Sequence, residues 1–179
     1  ERMVTVSANC ATNMLFEALG PEKVRAVSVD AGVPDTGMDR PYSDEAGLEA
    51  GVTNHASALG LARLMAALVR GDLLNPELTA HAKQLLRERK DPVIGEVAAE
   101  LAARTGATVD SGGKGGAVSG IEHDFGFVER DGKTVCLAVC TRAYTDTQGI
   151  AAIRAVTAAL LEGTSEGGTP HSSASDSAS

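Results

Sequence analysis

Two short stretches could carry chemistry. One is "DSGGKGGAVSG", residues 110–120, in which Lys114 sits among five glycines. The other is "VSANCATN", residues 6–13, which offers the Ser7 hydroxyl and the Asn9 amide within three positions. A lysine on bare backbone suggests first a phosphate cradle. Such a loop needs glycine six residues before the lysine and Ser or Thr directly after it. Thr108 and Gly115 stand there instead. A phosphate loop also feeds a helix N-terminus, whereas the residues after Gly120 read as a strand pair. Glycines within a strand have a different use: they let a second backbone or a substrate come close. Lys114 then either stands on one wall of a cleft or lies exposed on a glycine bulge. Ser7 is by type a helix N-cap and Asn9 a first-turn residue. One Ser-x-x-Lys spacing, Ser111 to Lys114, falls inside the strand and reads as accidental.

The elements that would position these residues follow from periodicity. "MVTV" at residues 3–6 is strand-like. Ser7 opens a helix over "SANCATNMLFEALG", with Ala11, Leu15, Ala18 and Leu19 on one face and Gly20 closing it. "PEKVRAVSVDAG" is a second helix, with Pro21 at its start. Residues 33–52 have no period and read as a long loop. Thr53 is expected to cap a helix that buries Leu61, Leu64, Met65 and Leu68. "NPELTAHAKQLLRERK" follows, its terminal "RERK" matching the negative end of the helix dipole. "VIGEVAAELAARTG" ends at Gly106. "ATVDSGGKGG", "DFGFVER" and "TVCLAVCTRA" then read as strands, the last two joined at Asp131-Gly132, a strong hairpin turn. A final helix over "DTQGIAAIRAVTAALLEG" turns Ile150, Ile153, Val156 and Leu160 inward. From Gly163 the chain is polar and low in complexity and is expected to be disordered; His171 lies in this tail.

Composition narrows the function. The 179 residues suit one domain with a tail. A net charge of −8 without a basic patch argues against a nucleic-acid partner. No apolar run approaches the ~18–20 residues of a membrane span. The three cysteines form no paired CxxC, so no metal site is indicated. Cys136 and Cys140 share a strand face but lie roughly 13 Å apart, too far to bond; buried free thiols are expected. Val135, Leu137 and Val139 alternate with Cys136, Ala138 and Cys140, so this strand reads as covered on both faces.

In combination, these segments resemble the class A β-lactamases and related penicillin-recognising serine hydrolases. Ser7-Ala8-Asn9, with Ala11-Thr12-Asn13 behind it, stands where the family has Ser-Asp-Asn and a Thr-Ala-x-Asn helix. Lys114-Gly115-Gly116 stands where it has Lys-Thr-Gly, and "NHASALGLARLMAALVRGDLL" resembles the helix between. The resemblance covers residues 1 to about 162. It implies an α+β, three-layer fold: an antiparallel sheet with flanking helices and an all-helical subdomain. It also implies acyl transfer from a small β-lactam or peptide-like substrate, without a cofactor, by a protein secreted or periplasmic in bacteria and monomeric when complete. Ser7 would relay a proton to the leaving nitrogen, and Asn9 would hold the substrate's amide. Lys114 would polarise Ser7 and receive the substrate carboxylate. Gly115 and Gly116 would line the cleft, and the Ala117 N–H would form half of an oxyanion hole.

The departures from the family are specific. Its nucleophile, a Ser-x-x-Lys on an earlier helix, and two of its five strands have no counterpart, so the sequence is expected to be a C-terminal part of such a protein. Ala8 replaces the motif's Asp, and Gly115 its Thr. Tyr42, after Asp39-Arg40, falls where the family's deacylating glutamate stands, and nearby Asp44, Glu45 and Glu49 have no assignable role. A peptidase or esterase on the same fold, and a non-catalytic ligand-binding relative, are the alternatives.

Overall fold

The computed structural model describes residues 1–90, 92–142 and 145–166. The tail expected beyond Gly163 falls mostly outside that range, as does His171, and the last helix runs on to Glu166. Among the described residues, eight helices and three strands follow in the order α1 (Arg2–Thr5), α2 (Asn9–Leu19), α3 (Pro21–Asp30), α4 (Glu45–Glu49), α5 (Ala58–Arg70), α6 (Pro76–Arg87), α7 (Val93–Thr105), β1 (Val109–Val118), β2 (Ile121–Arg130), β3 (Lys133–Cys140) and α8 (Asp146–Glu166). The strands form an antiparallel sheet in the order β1-β2-β3.

The pleat sorts the sheet into two apolar layers. On one face Val128 of β2 and Leu137 and Val139 of β3 pack with Ile94, Ala98 and Leu101 of α7 and Ile153 and Leu161 of α8. On the other, the fully buried Phe127 packs with Met65 of α5 and Leu86 of α6, joined by Val4 of α1. The result is a three-layer α+β fold, with α2 and α3 packed on each other and α2 against α1.

The hairpin between β2 and β3 has the expected turn. Asp131 and Gly132 have φ of 52° and 74°, the left-handed pair such a turn requires. Glycine in β1 serves close approach. A Cβ on Gly112 would sit 2.7 Å from the Phe127 ring, and one on Gly113 would sit 2.7 Å from the Phe125 carbonyl. A side chain at 113 would force the two strands apart, and one at 112 would displace the Phe127 ring.

Several expectations are corrected. "MVTV" forms the one-turn helix α1 rather than a strand; Val4 reaches the Phe127 cluster from it without a sheet edge to pair with. Ser57, not Thr53, caps α5, its hydroxyl accepting from the Gly60 N–H at 2.9 Å. In α2, Phe16 is the buried residue, while Leu15 and Leu19 are exposed and Met14 is 70% exposed. In α8 the buried stripe is Ile153, Thr157 and Leu161; Ile150, Val156 and Leu160 face outward. The cysteines are free, but Cys10, on α2, and Cys140, the last residue of β3, are exposed, and Cys136 is half-buried. On that face of β3 the cover expected on both sides is therefore only partial.

Candidate active site

Ser7 and Lys114, 107 residues apart, meet. Lys114 Nζ donates to Ser7 Oγ at 2.5 Å and to its neighbour's carbonyl, Gly115 O, at 2.5 Å. Three things hold Ser7 in place. Val4 is anchored in the Phe127 cluster. The Ala8 N–H donates to Arg2 O at 3.2 Å, and the Lys90 N–H donates to Thr5 O at 3.2 Å.

Ser7 is not the helix cap. Its φ is 50°, whereas an N-cap needs extended backbone, and Ala8 occupies that position with φ −69° and ψ 107°. The Ser7 hydroxyl is given to Lys114 instead. Left-handed backbone costs an L-residue about 1–2 kcal/mol, and glycine escapes that cost. Ser7→Gly should therefore be more stable than Ser7→Ala by about 1 kcal/mol, though both lose the hydroxyl. Urea unfolding of the two variants measures the difference; equal stabilities would mean that Ser7 is not held in this conformation.

Burial pushes the Lys114 ammonium below the usual lysine range. The neighbouring Arg89 pushes the same way, and Asp124 pulls back. Arg89 reaches this point from the segment after α6 and pairs with Asp124 of β2, Nη1 to Oδ1 at 2.5 Å. The pair is desolvated, with side chains 12% and 2% exposed. The second carboxylate oxygen accepts the Ile94 N–H at 3.0 Å, inside the first turn of α7. Asp124 thus supplies the cap that Pro92 cannot give that helix. A second arginine of "RERK", Arg87, makes a two-pronged pair with Asp110 of β1. Reading these arginines as dipole complements alone is therefore corrected: both bind carboxylates of the sheet.

Beyond Lys114, Gly115 is half-buried and Gly116 and Ala117 are exposed toward the end of β1, an edge strand. Asn9 is exposed on the first turn of α2. Ser111, three residues before Lys114, lies on the opposite face of the strand, its hydroxyl 3.2 Å from where a Cβ on Gly95 of α7 would be. The Ser-x-x-Lys match in β1 is accidental in space as well as in pattern.

The loop before α4 is tied to the helix that Ser7 precedes. Asn13 of α2 accepts the Tyr42 N–H at 2.8 Å and donates to the Tyr42 carbonyl at 3.0 Å. Asn54 accepts from the Asp39 and Arg40 N–H groups at 2.8 and 3.0 Å. Asp44 caps α4 through the Gly47 N–H, a structural role. Sequence reasoning gave Arg89 only the helix dipole as a partner and assigned Asp124 no role. The available signal was Asp124 itself, a carboxylate at a strand position whose parity points into the core. Among the described residues no group of three or more His, Cys, Asp or Glu is placed to hold a metal ion, and no helix is long and apolar enough to cross a membrane.

Known structures share this fold. A β-lactamase from Sphaerobacter thermophilus is 24% identical, with a TM-score of 0.77, and the match covers 91% of this chain and 60% of that one. A class A β-lactamase from Mycobacterium abscessus is 21% identical with a TM-score of 0.72, over 92% and 63% of the two chains. PBP-A is 25% identical with a TM-score of 0.73, over 92% and 59%. The chain therefore spans about 60% of the length of these proteins. No protein of curated function matches it by sequence. Residues 1–164 match the sequence profile of the beta-lactamase enzyme family, and the chain belongs to that family.

Proposed function

We propose that this chain forms one wall of a serine acyl-transfer site that takes β-lactams or the peptide-like amides they resemble, with the attacking serine outside these 179 residues. The contact between Lys114 Nζ and Ser7 Oγ at 2.5 Å carries the reading. A hydroxyl both donates and accepts, so Ser7 can take a proton on one side and pass one to a leaving nitrogen on the other. A lysine whose burial weakens its hold on a proton suits the partner's role. Asn9 holds the substrate's amide, and the exposed backbone of Gly116 and Ala117 receives its carbonyl and carboxylate ends. A secreted or periplasmic location goes with this reading.

Of the two fates of an acyl-enzyme, persistence is favoured over rapid hydrolysis. Tyr42 stands in the loop where the family's deacylating glutamate is expected, and Asn13 grips its backbone from both sides. A phenol is a poor substitute for a carboxylate as a general base. The site then suits a penicillin-binding transferase or peptidase better than a fast antibiotic hydrolase.

The test is a titration of isotope-labelled protein with benzylpenicillin, read as amide shifts. Shifts should cluster at Asn9 and at Gly115 to Ala117 and disappear in Lys114→Ala. A chromogenic cephalosporin should show no turnover by the chain alone. Shifts confined to other surfaces would overturn the reading, and turnover abolished by Ser111→Ala would identify a different nucleophile.

A further inference from the structure

Arg89 and Asp124 lie beside Lys114 without touching Ser7, and the role proposed for Ser7 and Lys114 leaves them unexplained. Their placement is closely determined. Asp124 is directly opposite Gly115 in the register of β1 and β2. Its carboxylate holds Arg89 Nη1 with one oxygen and the α7 N-terminus with the other. The remaining arm of the guanidinium lies against Gly115: a Cβ there would clash with Arg89 Nη2 and lie 3.0 Å from Cζ. A side chain at 115 would meet both the Arg89 guanidinium and, at 2.9 Å, the backbone carbonyl of His123, so glycine leaves room there for the arginine. Gly115 is also the residue whose carbonyl accepts from Lys114 Nζ.

We propose that Arg89, anchored by Asp124, is a positioning residue that acts on Ser7 through Lys114, bracing the Gly115 peptide whose carbonyl fixes the lysine's aim. The brace works in two ways. Sterically, the guanidinium backs Gly115, whose carbonyl accepts from Lys114 Nζ beside the other acceptor, Ser7 Oγ. Electrostatically, the pair places a fixed cation and a fixed anion near an ammonium that has lost much of its water. The charged groups that act on Lys114 among the described residues are these two, Arg89 from the segment after α6 and Asp124 from β2, both through space from the other face of the sheet; Ser7, just before α2, adds an uncharged hydroxyl on the lysine's own face. Arg89 favours loss of the lysine's proton and Asp124 opposes it, Arg89 having the larger effect. A purely structural ion pair would stiffen the sheet without governing how Lys114 titrates.

The inference rests on the reading of Ser7 and Lys114 above, but its test needs neither ligand nor turnover, so the two can fail separately. The lysine side chains are labelled with ¹³C at Cε in the full 179-residue chain, and the Lys114 signal is assigned by its loss in Lys114→Ala. In Arg89→Gln the Lys114 titration midpoint should move up. Removing one member of a buried pair can unfold a protein, so the deciding variant is Arg89→Gln combined with Asp124→Asn. That variant keeps a neutral amide pair and an oxygen for the Ile94 N–H. There the midpoint should still rise, by less than in the single variant, because the larger of two opposed influences has been removed with the smaller. A folded double variant whose Lys114 titrates as in the parent protein, or at lower pH, would overturn the proposal and leave the pair a purely structural one.

Discussion

Asp124→Ala is expected to cost the fold about 3–5 kcal/mol, the usual consequence of breaking a buried ion pair from one side. Two groups lose their partner at once. Arg89, 12% exposed, is left as a desolvated cation beside the already desolvated Lys114. The Ile94 N–H, in the first turn of α7, loses its acceptor. Domains of this size are stable by roughly 5–15 kcal/mol in total, so the loss takes a large share. Urea denaturation followed by circular dichroism gives the number. Arg89→Met with Asp124→Leu should recover much of it, since an apolar pair of similar volume often replaces a buried ion pair at little cost. A loss below about 1 kcal/mol for Asp124→Ala, the range of an exposed pair, would mean that water reaches this carboxylate freely.

The parts of this fold that were legible in the sequence are those fixed by local chemistry. Asp131-Gly132 made a turn that only a left-handed pair can make, and Gly106 stopped α7 in the same conformation. The helical stripe of α5 put Met65 in the core. What was not legible depended on distant neighbours. In α8 a count of apolar residues put Ile150 and Leu160 inside, one position away from the true face. The phase is set by Gly149, where a Cβ would come within 2.7 Å of Glu122 Cβ. From that closest approach the buried stripe runs through Ile153, Thr157 and Leu161. Glycine and threonine carry no hydrophobic signal, so periodicity alone placed Ile153 correctly and missed the rest of the stripe. Ser7 is similar: its type pointed to a cap, and only the approach of Lys114 from 107 residues away gave its hydroxyl a different partner. The convergence of these two residues was legible through motif order, because each motif was recognisable within its own segment. The Arg89 and Asp124 brace was not, since neither residue belongs to a motif and their pairing spans 35 positions.

Lys114→Met should stabilise the fold while abolishing the ligand response, a combination expected of a residue kept for function. Lys114 is held where its charge is poorly hydrated, with a hydroxyl and a carbonyl as acceptors and Arg89 nearby. Methionine fills a similar volume and carries no charge to desolvate. The expected gain is about 0.5–2 kcal/mol, typical when a functional group is replaced by one that suits its surroundings. The dependence on pH identifies the cause. The folded state lowers the lysine's proton affinity, so between its folded value and the unfolded value near 10.4 the unfolded chain binds more protons. Stability of the parent protein therefore rises with pH through that window, and the advantage of the Met variant shrinks there. Below the window the ammonium is charged in both states and the advantage is at its full size. Paired urea titrations of the two proteins from pH 7 to 10.5, with benzylpenicillin shifts recorded at pH 7, test both parts. A Met variant less stable than its parent, or an advantage that grows toward high pH, would mean that Lys114 stabilises the fold as an ion, as an ordinary surface lysine would.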